Sequence, residues 1–396
     1  MTMIKQKPYK LVNYVQNYEW GTKGKNAFIP KLLGFEAEEK PYAEVWIGSH
    51  PKLSSEILMD GKAINLETII EKCPKEILGE KVAKKFGNKL PFLLKILSAN
   101  QALSIQTHPN KLQADQLHKN DSQNYPDDNH KPEVAIALDF LKALVGFRPL
   151  NEIEANFLLY PQLINFVGSE EFNEFTKDKS QNGLKKLFTA LMKKSLEVNE
   201  LRNAILSIKA QIELISEQSE DEELFIILFQ QYGIDIGLFV LFFLNVVNLK
   251  SGEAIYTPAG IPHAYLKGNI VECMANSDNV VRAGLTPKFK DIEQLANILT
   301  YQFGKPELIG KICDSNITEY KVSAEEFCVE KIVLSNTDLD FSTNNKVEII
   351  FVTEGEIICD NLQIKKGESV LIPSIMSDYS IISKTNSILF RVTVPD

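Results

Sequence analysis

The spacing of hydrophobic residues changes twice along the chain and divides it into three stretches. In residues 1–150, short runs of β-branched and aromatic residues are bounded by glycine, proline or asparagine, as in KPYAEVWIGSHP and ALSIQTHP. Such runs are typical of strands and turns. Residues 65–87 are an exception, because apolar residues recur there at helical spacing, which predicts a helical interlude.

Residues 151–246 carry a helical pattern in which glycine and proline become sparse. One apolar series is separated by 4, 3, 4 and 3 residues, which places its members on one helix face. The series consists of Leu201, Ile205, Ile208, Ile212 and Ile215, and the preceding segment repeats it with Leu184, Leu187, Phe188 and Leu191. The pattern does not persist for the heptads that a coiled coil needs, so we predict core-facing helices of a helical domain.

Strand character returns at about residue 250. Two phrases there resemble each other, GEAIYTPAG at 252–260 and GESVLIPS at 367–374. Each places a Gly-Glu turn before a short strand that ends at a proline. This weak internal repeat predicts two related β-barrel halves.

Composition and charge exclude several classes of protein. The chain has 396 residues, of which 44% are hydrophobic and 24% charged, so it can bury a large core and is not a disordered chain. The net charge of −9 argues against a general affinity for nucleic acid or for an anionic membrane. A small anionic substrate stays possible, because its site needs only a few local cations.

Cysteine usage and the apolar segments predict a cytoplasmic protein. The five cysteines are odd in number and lack a C-x-x-C pair, which indicates free thiols in a reducing compartment. The N-terminus has no apolar segment typical of a signal peptide. The most apolar stretch, 224–247, contains an uninterrupted run only at 236–244, which is too short to cross a membrane and predicts a buried helix.

Histidines with neighbouring polar side chains are the candidate chemistry. Gln106 and His108 would project from one face of a strand, since alternate residues share a face. His130 and Glu133 follow, and His263 comes after the helical stretch. Imidazoles and side-chain oxygens that converge would bind zinc, iron, nickel or copper, and spacing does not choose among these metals or exclude ordinary polar roles.

Positive side chains lie within or beside the same clusters. They are Lys95, Lys111, Lys131, Arg282 and Lys288. A phosphate group needs such charges, although any single lysine is as readily explained as a solvated surface residue.

Six segments together carry a resemblance to a known family. They are QNYEWG at 16–21, KPYAEVWIGSHP at 40–51, LPFLLKILSANQALSIQTHPNK at 90–111, YPDDNHKPEVAIAL at 125–138, GFRP at 146–149 and PHAYLKGNIVECMANSDNVVRAGLTPKFKD at 262–291. In these segments the chain resembles the type I mannose-6-phosphate isomerases, zinc enzymes of the cupin superfamily. The helical stretch and the last hundred residues match the family in their general pattern of residues and not in specific motifs.

The resemblance implies a mainly β fold with a helical insertion, made of two cupin-like (jelly-roll) β-barrel domains and an α-helical domain. The catalytic cupin domain with the metal site would comprise residues 1–150 and 247–305. The helical domain would comprise 151–246, and the C-terminal cupin-like domain 306–396. The C-terminal domain lacks histidine, so we expect it to be structural and free of metal.

The resemblance also implies the residues of a site. One zinc ion per chain would be held by Gln106, His108, Glu133 and His263. The pocket beside it would be lined by Trp20, Glu44, Lys95, Ser104, Lys131, Tyr265, Glu272, Asp278, Arg282 and Lys288. Arg282 matches the arginine assigned to the active site of the family, whereas Glu19 stands where many relatives carry an aspartate.

The implied reaction interconverts mannose 6-phosphate and fructose 6-phosphate by proton transfer between C2 and C1 through a cis-enediol. Arg282 would stabilise negative charge that develops on oxygen. Lys131, Glu272, His130 and a zinc-bound water are all candidates for the base. His130 has an equally good alternative role, the orientation of its loop or of a metal ligand.

Partners and competing functions follow from the same resemblance. We predict a small sugar phosphate as substrate, no nucleic acid or membrane partner, and a monomer or weak oligomer. A non-catalytic cupin that senses a sugar phosphate would keep the barrel and could lose a ligand or Arg282. A cupin oxygenase would use iron at the same ligands and would need oxygen.

Overall fold

The computed structural model of the protein describes residues 4–309, 311–314 and 316–395. The strands of the first 150 residues are β1 (Tyr9–Val12), β2 (Tyr14–Gln16), β3 (Thr22–Lys23), β4 (Pro41–Tyr42), β5 (Glu44–Gly48), β6 (Glu56–Met59), β7 (Lys62–Asn65), β8 (Phe92–Ala99), β9 (Ile105–Thr107) and β10 (Glu133–Phe147). The helices among them are α1 (Phe28–Leu33), α2 (Leu66–Lys72), α3 (Pro74–Leu78), α4 (Glu80–Lys85) and α5 (Lys111–Asn120). The helical interlude predicted at 65–87 is therefore three short helices.

The helical insertion follows at once. Its helices are α6 (Leu150–Leu159), α7 (Pro161–Val167), α8 (Ser169–Lys177), α9 (Gln181–Lys194), α10 (Val198–Glu213), α11 (Glu220–Tyr232) and α12 (Gly237–Val240). The predicted apolar faces of α9 and α10 are buried in one hydrophobic core. Ile215 is the exception, because α10 ends at Glu213 and Ile215 lies beyond it.

The rest of the chain is again mainly β. Its elements are β11 (Leu244–Lys250), β12 (Ala254–Thr257), β13 (His263–Ala275), β14 (Val281–Gly284), α13 (Ile292–Ile298), β15 (Lys311–Asp314), β16 (Ile317–Tyr320), β17 (Cys328–Ser342), β18 (Glu348–Glu354), β19 (Glu356–Cys359), β20 (Leu362–Lys365), β21 (Ser369–Ile372) and β22 (Asp378–Thr393). Short 3₁₀ turns occupy Gly24–Asn26 and Leu241–Phe243. The predicted mainly β fold with a helical insertion is confirmed.

Two large sheets contain most of the strands. One runs β11-β10-β13-β8-β5-β2, with β9, β12 and β14 attached beside it, and the other runs β15-β16-β17-β22-β18-β21-β1-β6-β7. Strands β1, β6 and β7 come from the first 65 residues, yet β1 pairs with β21 through Lys10 and Val370. Hydrogen bonding therefore crosses the predicted domain boundary at residue 305 and joins the two halves.

The two similar phrases have the same local structure. Gly252 and Gly367 have φ angles of 78° and 82°, in the region that glycine adopts without strain, and each precedes a short strand, β12 or β21. The similarity of the two phrases thus extends to the backbone.

Within the apolar stretch at 224–247 the run 236–244 is buried, but the stretch is not one helix. Helix α11 ends before Gly233, whose φ is 64°, and β11 begins at Leu244 because Val246 pairs with Leu144 of β10. Sheet pairing has overridden local helical preference here. Among the described residues, no helix is long and apolar enough to cross a membrane.

The cysteines are free thiols where they are described, namely Cys73, Cys273, Cys328 and Cys359. The side chain of Cys313 lies outside the described part of the chain.

Candidate active site and metal centre

Three strands place His263, Gln106 and Arg282 in one row. His263 of β13 pairs with Gln106 of β9, and Gln106 pairs in turn with Arg282 of β14. Directly paired residues of antiparallel strands present their side chains on the same face, with Cβ atoms about 5 Å apart. His108 follows the end of β9, so the row brings Gln106, His108 and Arg282 to one place.

A buried cluster of three metal-ligating side chains lies beside this row. Nε2 of His108 lies 3.4 Å from Oε1 of Glu133, and Nε2 of His263 lies 3.2 Å from Oε2 of the same carboxylate. One ligand atom from each of the three residues can be chosen so that all lie within 4.8 Å of one another. The two Nε2 atoms and Oε2 of Glu133 are buried and have no hydrogen-bond partner in the described part of the chain. Unpaired buried polar atoms are costly, so this arrangement fits a bound cation.

The other nitrogens of the two imidazoles fix their tautomers. Nδ1 of His108 lies 2.7 Å from the carbonyl oxygen of Asn279, and Nδ1 of His263 lies 3.0 Å from that of Ile261. A carbonyl only accepts, so each Nδ1 carries the proton and donates. Each Nε2 then presents a lone pair, as metal-binding histidines do.

Burial and charge set the ionisation of the cluster. Burial lowers the pKa of His108 to about 4, which keeps its imidazole neutral. Burial by itself would raise the pKa of Glu133, but the ammonium of Lys131 and the neighbouring imidazoles lower it well below its usual range. Nζ of Lys131 lies 3.2 Å from Oε1 of Glu133. A carboxylate and two imidazole nitrogens are a donor set that a divalent transition metal prefers.

Gln106 and Ser104 complete this side of the site. Oγ of Ser104 lies 3.4 Å from Oε1 of Gln106 and donates to it. A carbonyl-type oxygen can serve as a further metal ligand in this position.

A second buried group of charges crosses β5, β8 and β13. Nζ of Lys95 lies 3.3 Å from Oε2 of Glu272 and 3.7 Å from Oε2 of Glu44, and the Trp46 indole Nε1 donates to that Glu44 oxygen at 2.5 Å. Burial alone would lower the pKa of Lys95, but the carboxylates of Glu44 and Glu272 outweigh it and raise the pKa. Burial raises the pKa of Glu272, with the charge of Lys95 opposing it. Lys95 is thus a fixed cation.

Arg282 and Lys288 line one cavity of about 200 Å³ with Asn124 and Asp291. Among the residues that the structure describes, neither cation forms an ion pair with a carboxylate within 4 Å. Burial lowers the pKa of Arg282, and burial together with the charge of Arg282 lowers that of Lys288. Asp291 also lines the cavity and accepts a hydrogen bond from the Tyr125 hydroxyl, so the two cations outnumber the one carboxylate there and favour an anionic ligand.

Asp278 lies in an ion-paired cluster with His50 and Lys52. Its Oδ2 is 2.9 Å from Nζ of Lys52 and 3.5 Å from Nε2 of His50, and the His50 ring packs edge-on against Trp46. His50 was not among the predicted site residues. Its position in GSHP, directly after β5 and inside a matching segment, was the signal that could have found it.

Two aromatic residues border the site. Tyr265 is buried with its ring 6.3 Å from that of His263, and burial next to Glu272 and Glu133 raises the pKa of its phenol. Trp20 is half-buried, packs against the same apolar cluster as Tyr265, and stacks on Tyr18 at 5.8 Å.

His130 points to another part of the molecule. Its Nε2 lies 2.7 Å from Oε1 of Glu326, a buried carboxylate from the segment between β16 and β17. The remaining histidine, His118, contacts the carbonyl of Tyr125 from helix α5. Sequence reasoning missed Glu326, because nothing near it in the chain marks it.

Three family models match most of the chain. Residues 9–150 match the catalytic domain of type I phosphomannose isomerase, and residues 163–244 match its helical insertion domain. Residues 316–392 match the cupin domain of mannose-6-phosphate isomerase.

Individual relatives match over nearly their full lengths. The chain is 40% identical to the mannose-6-phosphate isomerase of Schizosaccharomyces pombe, covering 88% of this chain and 89% of the relative. It is 36% identical to that of Bos taurus, covering 99% and 97%. A crystal structure of zinc-bound mannose 6-phosphate isomerase superposes with a TM-score of 0.85 at 34% identity, covering 98% of this chain and 100% of that one. A variant of phosphomannose isomerase from Salmonella typhimurium superposes with a TM-score of 0.87 at 34% identity over the same shares.

Proposed function

Because the chain belongs to the type I phosphomannose isomerase family, we propose that this isomerase interconverts mannose 6-phosphate and fructose 6-phosphate. The observation that carries the proposal is the buried cluster of His108, Glu133 and His263, whose three ligand atoms have no hydrogen-bond partner in the described part of the chain. Arg282 and Lys288, two cations that line one cavity, supply the positive charge that a phosphate requires.

The resident metal of this site is proposed to be one zinc ion per chain. His108, Glu133 and His263 would hold it through Nε2, a carboxylate oxygen and Nε2, with the amide oxygen of Gln106 as a further ligand. Zinc supplies Lewis-acid stabilisation of negative charge on a substrate oxygen. The Nδ1 contacts of the two imidazoles with backbone carbonyl oxygens leave both Nε2 atoms facing Glu133, which suits this metal.

Arg282 and Lys288 are proposed to bind the anionic parts of the substrate. Arg282 lies in the row that contains two metal ligands, so it can also stabilise charge that develops on the sugar oxygens during a cis-enediol step. Lys95 is held protonated between two carboxylates and therefore acts as a cation or proton donor, not as a base.

We propose Glu272 as the base that moves the proton between C2 and C1. Burial raises its pKa, which makes its ionised form a stronger base than an ordinary carboxylate. Lys131 stays the second candidate because it lies beside Glu133. His130 is less suited, since its Nε2 is engaged by Glu326. Trp20, Glu44, Ser104, Tyr265 and Asp278 are proposed as the polar and aromatic surround that orients the sugar.

A coupled assay tests the proposal. Fructose 6-phosphate formation from mannose 6-phosphate is measured on the protein as purified, after chelation, and after zinc is returned. We expect activity that is lost on chelation and restored by zinc. Zinc-loaded protein without activity would overturn the proposal and favour a sugar-phosphate sensor, whereas oxygen consumption with iron would favour an oxygenase.

Other properties stay predictions. A cytoplasmic location, a monomeric or weakly associated state, the absence of nucleic-acid and membrane partners, and a contribution to GDP-mannose synthesis are all consistent with a small-molecule isomerase. Sedimentation of the purified chain would measure its state of association.

A further inference from the structure

Glu326 connects the C-terminal domain to the active-site loop. It lies between β16 and β17, and its side chain is buried. Its Oε1 is 2.7 Å from Nε2 of His130, which lies 196 residues earlier in the chain. Oε2 of Glu326 is buried with no hydrogen-bond partner in the described part of the chain, so His130 is the partner that compensates this carboxylate.

The direction of this hydrogen bond is settled by the carboxylate. Burial alone would raise the pKa of Glu326, but the contact with His130 and the charge of Lys111 lower it, so the carboxylate is ionised and only accepts. Nε2 of His130 therefore carries the proton and donates. This nitrogen therefore donates its hydrogen bond to Glu326 and is not free to bind a substrate.

Glu326 is itself held rigidly. Its neighbour Phe327 is fully buried and belongs to the same hydrophobic cluster as Val134 of β10, the residue after Glu133. Ala324, on the other side of Glu326, is buried in that cluster as well. The Glu326 carboxylate thus projects from a segment whose neighbouring residues are packed in the core.

The chain from His130 to the metal cluster is short and stiff. Lys131 precedes Pro132, and a residue before proline is restricted to extended backbone conformations. The carbonyl of Pro132 accepts a hydrogen bond from the backbone N–H of Ala275 at 3.1 Å. The backbone of Lys131 is therefore fixed on both sides. His130 before it contacts Glu326, and Pro132 after it is hydrogen-bonded to β13. Nζ of Lys131 lies 3.2 Å from Oε1 of Glu133.

We infer that Glu326 is a positioning residue for the isomerase site, through which the C-terminal domain fixes His130 and thereby orients Lys131 beside Glu133. The inference rests on the proposed function, because its readout is isomerase turnover. The C-terminal domain contains no histidine, and by this inference it contributes to the active site through the Glu326 carboxylate.

The test compares zinc-loaded Glu326→Ala and Glu326→Gln with the parent protein in mannose 6-phosphate turnover. Loss of a side chain that orients active-site groups costs about 10–100-fold in activity, and we expect that fall in kcat for Glu326→Ala, with KM changed less than about threefold. Glutamine keeps an oxygen acceptor for Nε2–H of His130 and is expected to restore much of kcat. Glu325→Ala is the matched control, because Glu325 is adjacent but exposed and pairs with Lys85 at 3.0 Å on the surface.

A double-mutant cycle separates positioning from a merely structural role. If Glu326 acts through His130, then Glu326→Ala adds no further loss of kcat to His130→Gln. Additive losses, an unchanged kcat in Glu326→Ala, or a fall in kcat that parallels loss of zinc would each overturn the inference. If Glu326→Ala does not fold, the cycle is run with Glu326→Asp, whose shorter side chain withdraws the carboxylate from Nε2 of His130. An inactive parent protein would instead overturn the proposed function.

Discussion

Lys95 and Glu272 face each other across strands β8 and β13, with Nζ 3.3 Å from Oε2 and both side chains buried. Glu44 adds a second carboxylate 3.7 Å from the same ammonium. One cation thus compensates two buried carboxylates. The stability of this part of the sheet and the basicity of Glu272 consequently depend on the same residue.

Replacing Lys95 by methionine is expected to destabilise the protein strongly. Breaking a buried ion pair by removing one partner costs about 3–5 kcal/mol, because a charge is left uncompensated. The free energy of unfolding, measured in denaturant at neutral pH, should fall by that amount and recover partly at acid pH as Glu272, whose pKa is raised by burial, takes up a proton. Lys10→Met is the control, since the partly exposed pair of Lys10 and Glu368 contributes no more than about 1 kcal/mol. Equal losses in the two variants would contradict this view of Lys95.

His263→Ala is expected to lose metal and turnover together. The variant removes one of the two imidazoles that face Glu133, and the remaining side chains bind a divalent cation more weakly. Zinc content, measured by elemental analysis of purified protein, should fall from about one per chain toward zero. His118→Ala should keep its zinc, because His118 lies on α5 against the Tyr125 carbonyl and is not a member of the described metal-ligating cluster. Full zinc occupancy in His263→Ala would remove His263 from the ligand set.

Local patterns in the sequence were sufficient for the parts of the fold that depend on neighbouring residues. The helical faces of α9 and α10 follow directly from the spacing of their buried leucines and isoleucines. The pairing of β1 with β21 does not, because Lys10 and Val370 carry no signal of each other. The strand that begins at Leu244 was likewise hidden inside an apolar run, since its partner in β10 decides its conformation.

The same division applies to the site. Gln106, His108, Glu133 and His263 stood out because histidine is rare in this chain and because the segments around them match a family. Glu326 could not be found in this way, because its proposed role depends on a contact with His130, which lies 196 residues away in the chain. His50 is an intermediate case. Its GSHP motif lies in a segment that matches the family, but its contact with Asp278 can be seen only in the folded structure.

Arg282→Ala is expected to keep zinc and lose turnover. Removing one preorganised charge that stabilises a developing oxyanion costs about 10²–10³-fold in kcat. KM should rise as well, because Arg282 shares its cavity with Lys288 and both are proposed to bind the phosphate. Steady-state kinetics with zinc-loaded protein would measure both parameters, and Arg202→Ala on the exposed side of α10 is the control. A variant with near-parental kcat would exclude Arg282 from the mechanism.

Glu272 is expected to set the pH below which kcat falls, here called the acid limb of the pH profile. This limb should lie at a higher pH than an ordinary carboxylate would give. Burial raises its pKa above the usual 4.5, and a base acts only when ionised, so kcat should fall as the pH decreases through that raised value. Lys95→Met removes the cation that opposes this rise, so the limb should move to still higher pH. The substrate phosphate also titrates near pH 6, but it is the same in every variant, so a limb that moves between variants belongs to the enzyme. Glu272→Gln should lose about 10²–10⁴-fold in kcat with zinc retained. If Glu272→Gln kept near-parental turnover and the same acid limb, the proton would be transferred by another group, and Lys131→Met would be the next variant to measure.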